Sequence, residues 1–348
     1  MQQFFDKKSK KINISYQFKK NLLNGENFFQ VPCKLYYNSK KIFSIFNAKK
    51  HDKNNLCYTN YVDTDHLLNL ILDLQNTFLK IFKKIPFIAI VAKHGNPFGA
   101  SFNWHKREIS IKQAFSINKK AALGAEFICN FKISAELSKK IFFDTKRKQR
   151  KIDVVFAESF TKNALNIFNK RIRTNLLSDH RLKIRSITQN KNNMYKQING
   201  GLIEQPKFNF LLNKQIFENL KLSRFDIENL ILSWCIVSNS FFGGNEIAIV
   251  KNRHLLICSG GPSTIESLQI AMFRLKKLIG KINLKNSYFA ADAFFPYYDC
   301  LRQFYIKGIK KGLVPEGSIN DNIIKKFILK KKMKIVFLEK KIRGFCRH

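Results

Sequence analysis

An α/β fold, with helices covering its sheet, is what the sequence predicts, and three observations carry that prediction. Short apolar runs of strand length recur along the 348 residues. Between several of them lie segments whose apolar residues follow helical spacing. One run ends in a polar pair inside a glycine- and proline-containing segment, the arrangement by which α/β proteins present chemistry at the end of a strand. Strands alternating with helices place the helices on the faces of a sheet.

The elements follow in chain order. Up to about Asn60 the chain mixes short strand-like pieces with turns, including Asn24-Gly25-Glu26-Asn27. Residues 65–85 have helical spacing, with Leu67, Leu68, Leu70, Ile71, Leu74, Phe78 and Leu79 on one broad face and Asp63 or Thr64 as N-cap. The run 88–92 reads as a buried strand that delivers Lys93 and His94 into a turn built from Gly95, Asn96, Pro97 and Gly99. Histidine exchanges a proton near neutral pH, and a lysine beside it supplies a cation. The plainer alternative is a polar pair in an exposed loop. Residues 127–131, 154–157, 247–250, 255–258 and 335–338 are further strands, and 159–170, 263–279 and 321–332 read as helices. The polar stretch 189–196 is the best boundary, dividing the chain into 1–193 and 194–348. Gly200-Gly201 and Gly243-Gly244 form neither a dinucleotide fingerprint nor a P-loop.

Composition narrows the function. The net charge of +39 arises mostly from lysine scattered among Asn, Ile and Phe, a mixture expected of AT-rich coding. Specific nucleic-acid binders more often concentrate arginine, so no specific nucleic-acid partner is expected. Seven cysteines, widely spaced and without C-x-x-C, point to a reducing compartment, with neither a disulfide framework nor a zinc knuckle. The first residues lack a signal-peptide pattern and no apolar run reaches membrane-spanning length, so a cytoplasmic location and no membrane partner are expected.

The C-terminal third is the most distinctive. Ala290-Ala291-Asp292-Ala293-Phe294-Phe295-Pro296-Tyr297-Tyr298-Asp299 precedes Val314-Pro315-Glu316-Gly317-Ser318-Ile319-Asn320-Asp321, and the chain ends in Arg343-Gly344-Phe345-Cys346-Arg347-His348. With Lys93-His94-Gly95-Asn96-Pro97 upstream, this order resembles the AICAR transformylases, the folate-dependent formyltransferase half of a bifunctional purine-synthesis enzyme. Gly25-Glu26-Asn27, Asp153-Val154-Val155-Phe156-Ala157 and Gly200-Gly201-Leu202-Ile203-Glu204-Gln205 fit the same register, so the resemblance runs from about residue 20 to the end. It implies two cytidine-deaminase-like subdomains in a three-layer αβα arrangement, without the deaminase zinc site. It also implies a homodimer with sites at the interface, no metal requirement, and a separate IMP cyclohydrolase for the next step.

The implied reaction moves a formyl group from 10-formyltetrahydrofolate to the 5-amino group of AICAR. By the match, His94 is the base, Lys93 the cation near the oxyanion and leaving group, and Asn245 the amide that holds the reacting groups, with Asn239 its rival. Gly25, Asn27, Gly124, Asp153, Phe294, Pro296, Tyr297, Asp299, Arg343 and His348 are the implied ligand-binding residues. Asp299 falls on the folate side, and the aromatic residues form walls unless they are ordinary core. The pattern departs at Leu23 and Phe29, where the family has a phosphate-clamping arginine and a histidine, and at Ala121 to Ala125, Thr264 and Tyr298. A catalytically weakened or non-catalytic nucleotide- or folate-binding remnant, or a scaffold in a purine enzyme complex, is therefore the alternative.

Overall fold

The computed structural model describes residues 12–37, 43–144, 148–169, 174–183, 193–280 and 283–342. Its elements in chain order are β1 (Gln17–Leu22), β2 (Cys33–Tyr37), β3 (Lys49–Lys50), α1 (Tyr58–Phe82), β4 (Phe87–Lys93), β5 (Asn96–Asn103), α2 (Arg107–Ala114), β6 (Ala125–Cys129), α3 (Ala135–Phe142), β7 (Ile152–Ala157), α4 (Lys162–Asn169) and β8 (Asn175–Ser178). They continue with β9 (Met194–Ile198), β10 (Gly201–Gln205), α5 (Arg224–Val237), β11 (Ile247–Lys251), β12 (His254–Ser259), α6 (Thr264–Ile279), β13 (Tyr288–Ala291), α7 (Asp299–Ile306), β14 (Lys311–Pro315), α8 (Asp321–Lys330) and β15 (Lys334–Leu338).

One sheet of eleven strands runs through the molecule in the order β15-β14-β13-β11-β12-β5-β4-β6-β7-β8-β3. It contains the same unit twice. β5-β4-β6-β7-β8 and β12-β11-β13-β14-β15 share strand order, and in both an antiparallel hairpin and a third antiparallel strand are followed by two parallel ones. Even the hairpins match: each has a bulge near its turn, and each turn holds two residues at positive φ, His94-Gly95 in one and Asn252-Arg253 in the other. The units meet where β5 and β12 pair antiparallel, His254 opposite Ser101.

The alternation of strand side chains explains the layers. Ile88, Ile90 and Ala92 face one side with Ala248 and Val250, and α1 and α5 cover them. Ala89 and Val91 face the other side beneath α2, α3 and α4, as Ile247 and Ile249 do beneath α6, α7 and α8. The expected three-layer α/β architecture is therefore present.

Two local expectations are corrected. α1 begins at Tyr58, seven residues before the expected start, because Cys57 and Asn60 form its capping box. Asp63 and Thr64 are not caps but buried residues of its second turn. The turn after β4 is only His94-Gly95, since Lys93 pairs with Asn96, and Asn96, Pro97 and Gly99 already belong to β5. The other expected strands and helices agree to within a few residues. The first half of the expected boundary, residues 189–192, lies outside the described residues.

Glu228 on α5 ties the units together. Fully buried, it accepts from Trp104 Nε1 at 2.7 Å, Arg224 Nε at 3.0 Å and Arg253 Nε at 2.7 Å. Trp104 follows β5 and Arg253 lies in the β11–β12 turn, so the contact spans the seam. Glu228→Ala leaves a part-buried indole N–H and a part-buried guanidinium without their buried acceptor, and urea unfolding should read a loss of about 2–3 kcal/mol. A loss under about 0.5 kcal/mol would show that the seam does not depend on it.

Candidate active site at one edge of the sheet

The register brings the ends of many strands to one edge. β4 ends there at Lys93 and β5 begins at Asn96, while β6 and β7, one antiparallel to β4 and the other following, begin at Ala125 and Ile152. Across the seam β12 ends there, β11 begins there and β13 ends there. Lys93, His94, Gly124, Asp153, Asn245 and the residues from Asp292 onward therefore share an edge, although they are scattered over two hundred positions.

The Lys93-His94 turn is held from below by α1. The Asp63 carboxylate accepts the backbone N–H groups of both His94 and Gly95. This bond pair fixes a turn in which His94 has φ +53° and Gly95 φ +68°. His94 is exposed and Lys93 half-buried. Burial, offset partly by His94 and the two turn amides, leaves the Asp63 carboxyl above its ordinary range, and Glu26 pushes it the same way. The charge of Glu26, in the Gly25–Asn27 loop, is thus felt at Asp63. In that loop Gly25 N–H donates to Gln30 O at 2.8 Å, and Asn27 donates to Gln30 Oε1 through its backbone N–H at 2.7 Å and Nδ2 at 3.1 Å. Leu23 and Phe29, at the departures from the family pattern, are exposed.

On the strands beside the turn, Glu126 lies opposite Ala92 and is buried. Asn60 Nδ2 donates to its Oε1 at 3.4 Å, and burial together with Asp63 and Asp153 pushes its carboxyl well above the usual range. Gly124 has φ +69° and its N–H donates to Lys151 O at 2.8 Å, with Asp153 Oδ2 3.8 Å from where a Cβ would stand. Gly124 and Asp153 thus belong with Lys93 and His94.

The second unit contributes the loop before β11. Phe241 N–H donates to Asn96 Oδ1 at 2.9 Å, and the Phe241 ring packs edge-on against His66 with centroids 4.6 Å apart. Both rings crowd Gly95. Asn245, at φ +45°, donates from Nδ2 to Gly261 O at 3.1 Å and Pro262 O at 3.0 Å. Its rival Asn239 is buried at the end of α5 and donates to Asp73 Oδ2 at 2.8 Å and Cys235 O at 3.0 Å. Asn245 thus lies at the sheet edge, while Asn239 serves the junction of α5 and α1.

After β13 the four aromatic and proline positions separate. Phe295 is core, stacked on Phe289 at 6.2 Å, whereas Phe294 is half-buried and Pro296 and Tyr297 are exposed. Asn320 Nδ2 donates to Pro296 O at 2.8 Å, and Asp299 Oδ1 accepts from Cys300 N–H at 2.8 Å at the start of α7. Arg343 and His348 lie outside the described residues. The edge also holds three buried carboxyls that the sequence reading gave no chemical role, Glu126, Glu246 and Asp292. Their signal was a carboxylate inside or against an apolar strand, as in Glu126-Phe127-Ile128 and Glu246-Ile247-Ala248. Among the described residues, no group of three His, Cys, Asp or Glu side chains could hold a metal ion, and no helix is long and apolar enough to cross a membrane.

A duplicated three-layer α/β protein with a polar site at the sheet edge, built by both units, is the class this geometry defines. The family model described as AICARFT/IMPCHase bienzyme matches residues 1–274, and the chain belongs to that family. It is similar to the bifunctional purine biosynthesis protein PurH of Persephonella marina, 24% identical over 322 residues covering 91% of this chain and 58% of that protein. The protein of the same name in Wigglesworthia glossinidia brevipalpis is 26% identical over 333 residues, covering 94% of this chain and 58% of its own length. That of Buchnera aphidicola subsp. Baizongia pistaciae is 26% identical over 322 residues, covering 90% and 56%. The chain therefore spans somewhat more than half the length of these relatives.

Proposed function

We propose that the chain transfers the formyl group of 10-formyltetrahydrofolate to the 5-amino group of AICAR, a step of purine biosynthesis. The observation that carries this reading is the His94-Gly95 turn, clamped by Asp63 at the edge where Gly124, Asp153 and Asn245 converge, in a member of this family. The 5-amino nitrogen is a poor nucleophile because its lone pair delocalises toward the carboxamide. Its attack on the formyl carbon forms a C–N bond and an oxyanion. His94 takes the proton from the attacking nitrogen, Lys93 stabilises the oxyanion, and the amide of Asn245 orients the partners. Collapse breaks the bond to N10 of the folate, which takes up a proton and leaves as tetrahydrofolate.

Gly25, Asn27, Gly124, Asp153, Phe294, Pro296 and Tyr297 are assigned to ligand binding and Asp299 to the folate side, with Arg343 and His348, near the nucleotide, added from outside the described residues. The two repeated units are read as cytidine-deaminase-like subdomains, divided near residue 193. The hairpins β1–β2 and β9–β10 lie outside the large sheet and expose Phe18, Tyr36, Tyr195, Ile198, Leu202 and Ile203, surface suited to a second copy of the chain. A homodimer in the cytoplasm is therefore part of the proposal, with no metal needed and a cyclohydrolase consuming the product.

A formyl-transfer assay with AICAR and 10-formyltetrahydrofolate tests the reaction, with turnover expected. The second reading is a non-catalytic nucleotide- or folate-binding relative, favoured by the exposed Leu23 and Phe29 where the pattern has phosphate-holding side chains. Calorimetric binding of AICAR without turnover at any concentration would select it.

A further inference from the structure

The two units run in opposite directions across the seam, so they send the carboxyl ends of their parallel strands to opposite edges. β14 and β15 end at the edge that carries Lys93 and His94, whereas β7 and β8 end at the far one. The length of β7, about 17 Å, separates the two edges. Ligands of α/β sheets bind outside such carboxyl ends. At the far edge the ends of β7 and β8 open into a cavity of 1010 Å3, and none of its lining residues comes from the candidate active site.

Glu158 to Phe160 follow β7 directly, Asp179 to Arg181 follow β8, and Lys49 on β3 pairs with Ser178. Among the described residues, the Lys49 ammonium and the Glu158 carboxylate line this cavity with no hydrogen bond or ion pair, to each other or to any other group. Arg181 sets Nε and Nη2 on Asp179 and lies 4.7 Å from the centre of the Phe43 ring, which leaves Nη1 unused. His51 is not a further cation, because burial lowers its pKa, Lys49 lowers it again and Asp52 alone opposes them. Its Nε2 bonds Ser178 Oγ at 2.7 Å, and its ring meets Phe160 edge-on with centroids 5.4 Å apart. Tyr37 adds a second aromatic ring to the lining.

A free ammonium, a free carboxylate and aromatic surface in one cavity call for a ligand with three matching parts. An anionic group suits Lys49 and Arg181, N–H groups suit Glu158, and a planar ring suits Tyr37 and Phe160. We propose that this cavity is a second ligand site, for a nucleoside monophosphate whose base turns N–H groups to Glu158. A molecule of that size fits, since ligand cavities run from about 300 to 1,000 Å3. The site stands whether or not the other edge transfers formyl groups.

GMP is the probe, because guanine offers adjacent N–H groups to one carboxylate. Amide exchange of the full chain, with GMP up to about 5 mM, reads binding and places it. Protection is expected at 49–51 and 158–160, and it should survive Asp153→Asn at the candidate active edge. Lys49→Ala and Glu158→Gln should each raise the GMP concentration for half protection about tenfold. The net charge of +39 attracts any anion, so Lys330→Ala, an exposed lysine on α8, is the control and should change nothing. Inorganic phosphate, without a ring, should protect these segments at least about tenfold more weakly than GMP. Protection nowhere, protection confined to 93–95 and 124–126, or the same shift in Lys330→Ala as in Lys49→Ala overturns the site. Phosphate protecting as well as GMP overturns the nucleotide as its ligand.

Discussion

His94→Ala is expected to lower kcat for formyl transfer by about 10²–10⁴-fold, the range typical of losing a positioned general base. The attacking nitrogen keeps its proton, so the step that fails is bond formation, and KM for the nucleotide should change little. The effect is not one of folding. His94 is exposed, and the turn is held through its backbone N–H on Asp63 rather than through its ring. Its φ of +53° is the complication, because alanine at positive φ costs about 1 kcal/mol. His94→Asn is the better control, since asparagine tolerates this conformation without supplying a base. Steady-state kinetics of both variants, beside urea unfolding, separate chemistry from stability. Activity within a few-fold of the parent in both would reject His94 as the base. Lys93→Ala should also lower kcat, through the oxyanion it leaves unbalanced.

Gly95→Ala is expected to be the most damaging single methyl group in the site. The residue sits at φ +68°, and its missing Cβ would overlap His66 Nδ1 and stand 2.5 Å from Phe241 Cζ. Backbone strain of about 1–2 kcal/mol adds to overpacking of about 1–3 kcal/mol, so unfolding should read a loss of about 2–5 kcal/mol. Activity should fall further than stability explains. The displaced Phe241 is bonded through its N–H to Asn96 and leads directly into the loop that carries Asn245. One methyl group would thus disturb the candidate base and the candidate amide together. A loss under 1 kcal/mol with normal kinetics would show that the two loops yield independently.

The strands were legible wherever apolar runs were uninterrupted, as at 88–92, 247–250 and 335–338. β5 was not, because Asn96, Pro97 and Gly99 read as turn, and only its pairing with β4 makes it a strand. The start of α1 was hidden because Tyr58 to Thr64 is polar, and because Asp63 looks like a cap while its carboxylate serves a turn thirty residues away. Lys93 and His94 stood out in the local sequence as candidates, whereas Asn245 was offered only by the resemblance, with Asn239 as its rival. The carboxyls Glu126, Glu246 and Asp292 took on meaning only once register placed them, since a sequence shows a carboxylate but not what stands opposite. The duplication was expected only through the family resemblance, which implied two like subdomains. Its two copies share strand order and direction, and no tandem repeat in the residues announced it.

The seam between β5 and β12 has a consequence for how the chain is made. Every strand of the first unit lies within residues 49–178, so its part of the sheet can form on the ribosome before α5 has been synthesised. Until then the flank of α1 that later meets α5, with Thr77 beside Cys235, has no cover, and the β5 edge has no partner. Synthesis thus passes through a half-built stage that shows apolar helix surface and an open strand edge, the two features by which nascent chains stick to one another. Arrival of the second unit closes both at once, so the interval between synthesis of the two halves adds to the chain's exposure to aggregation.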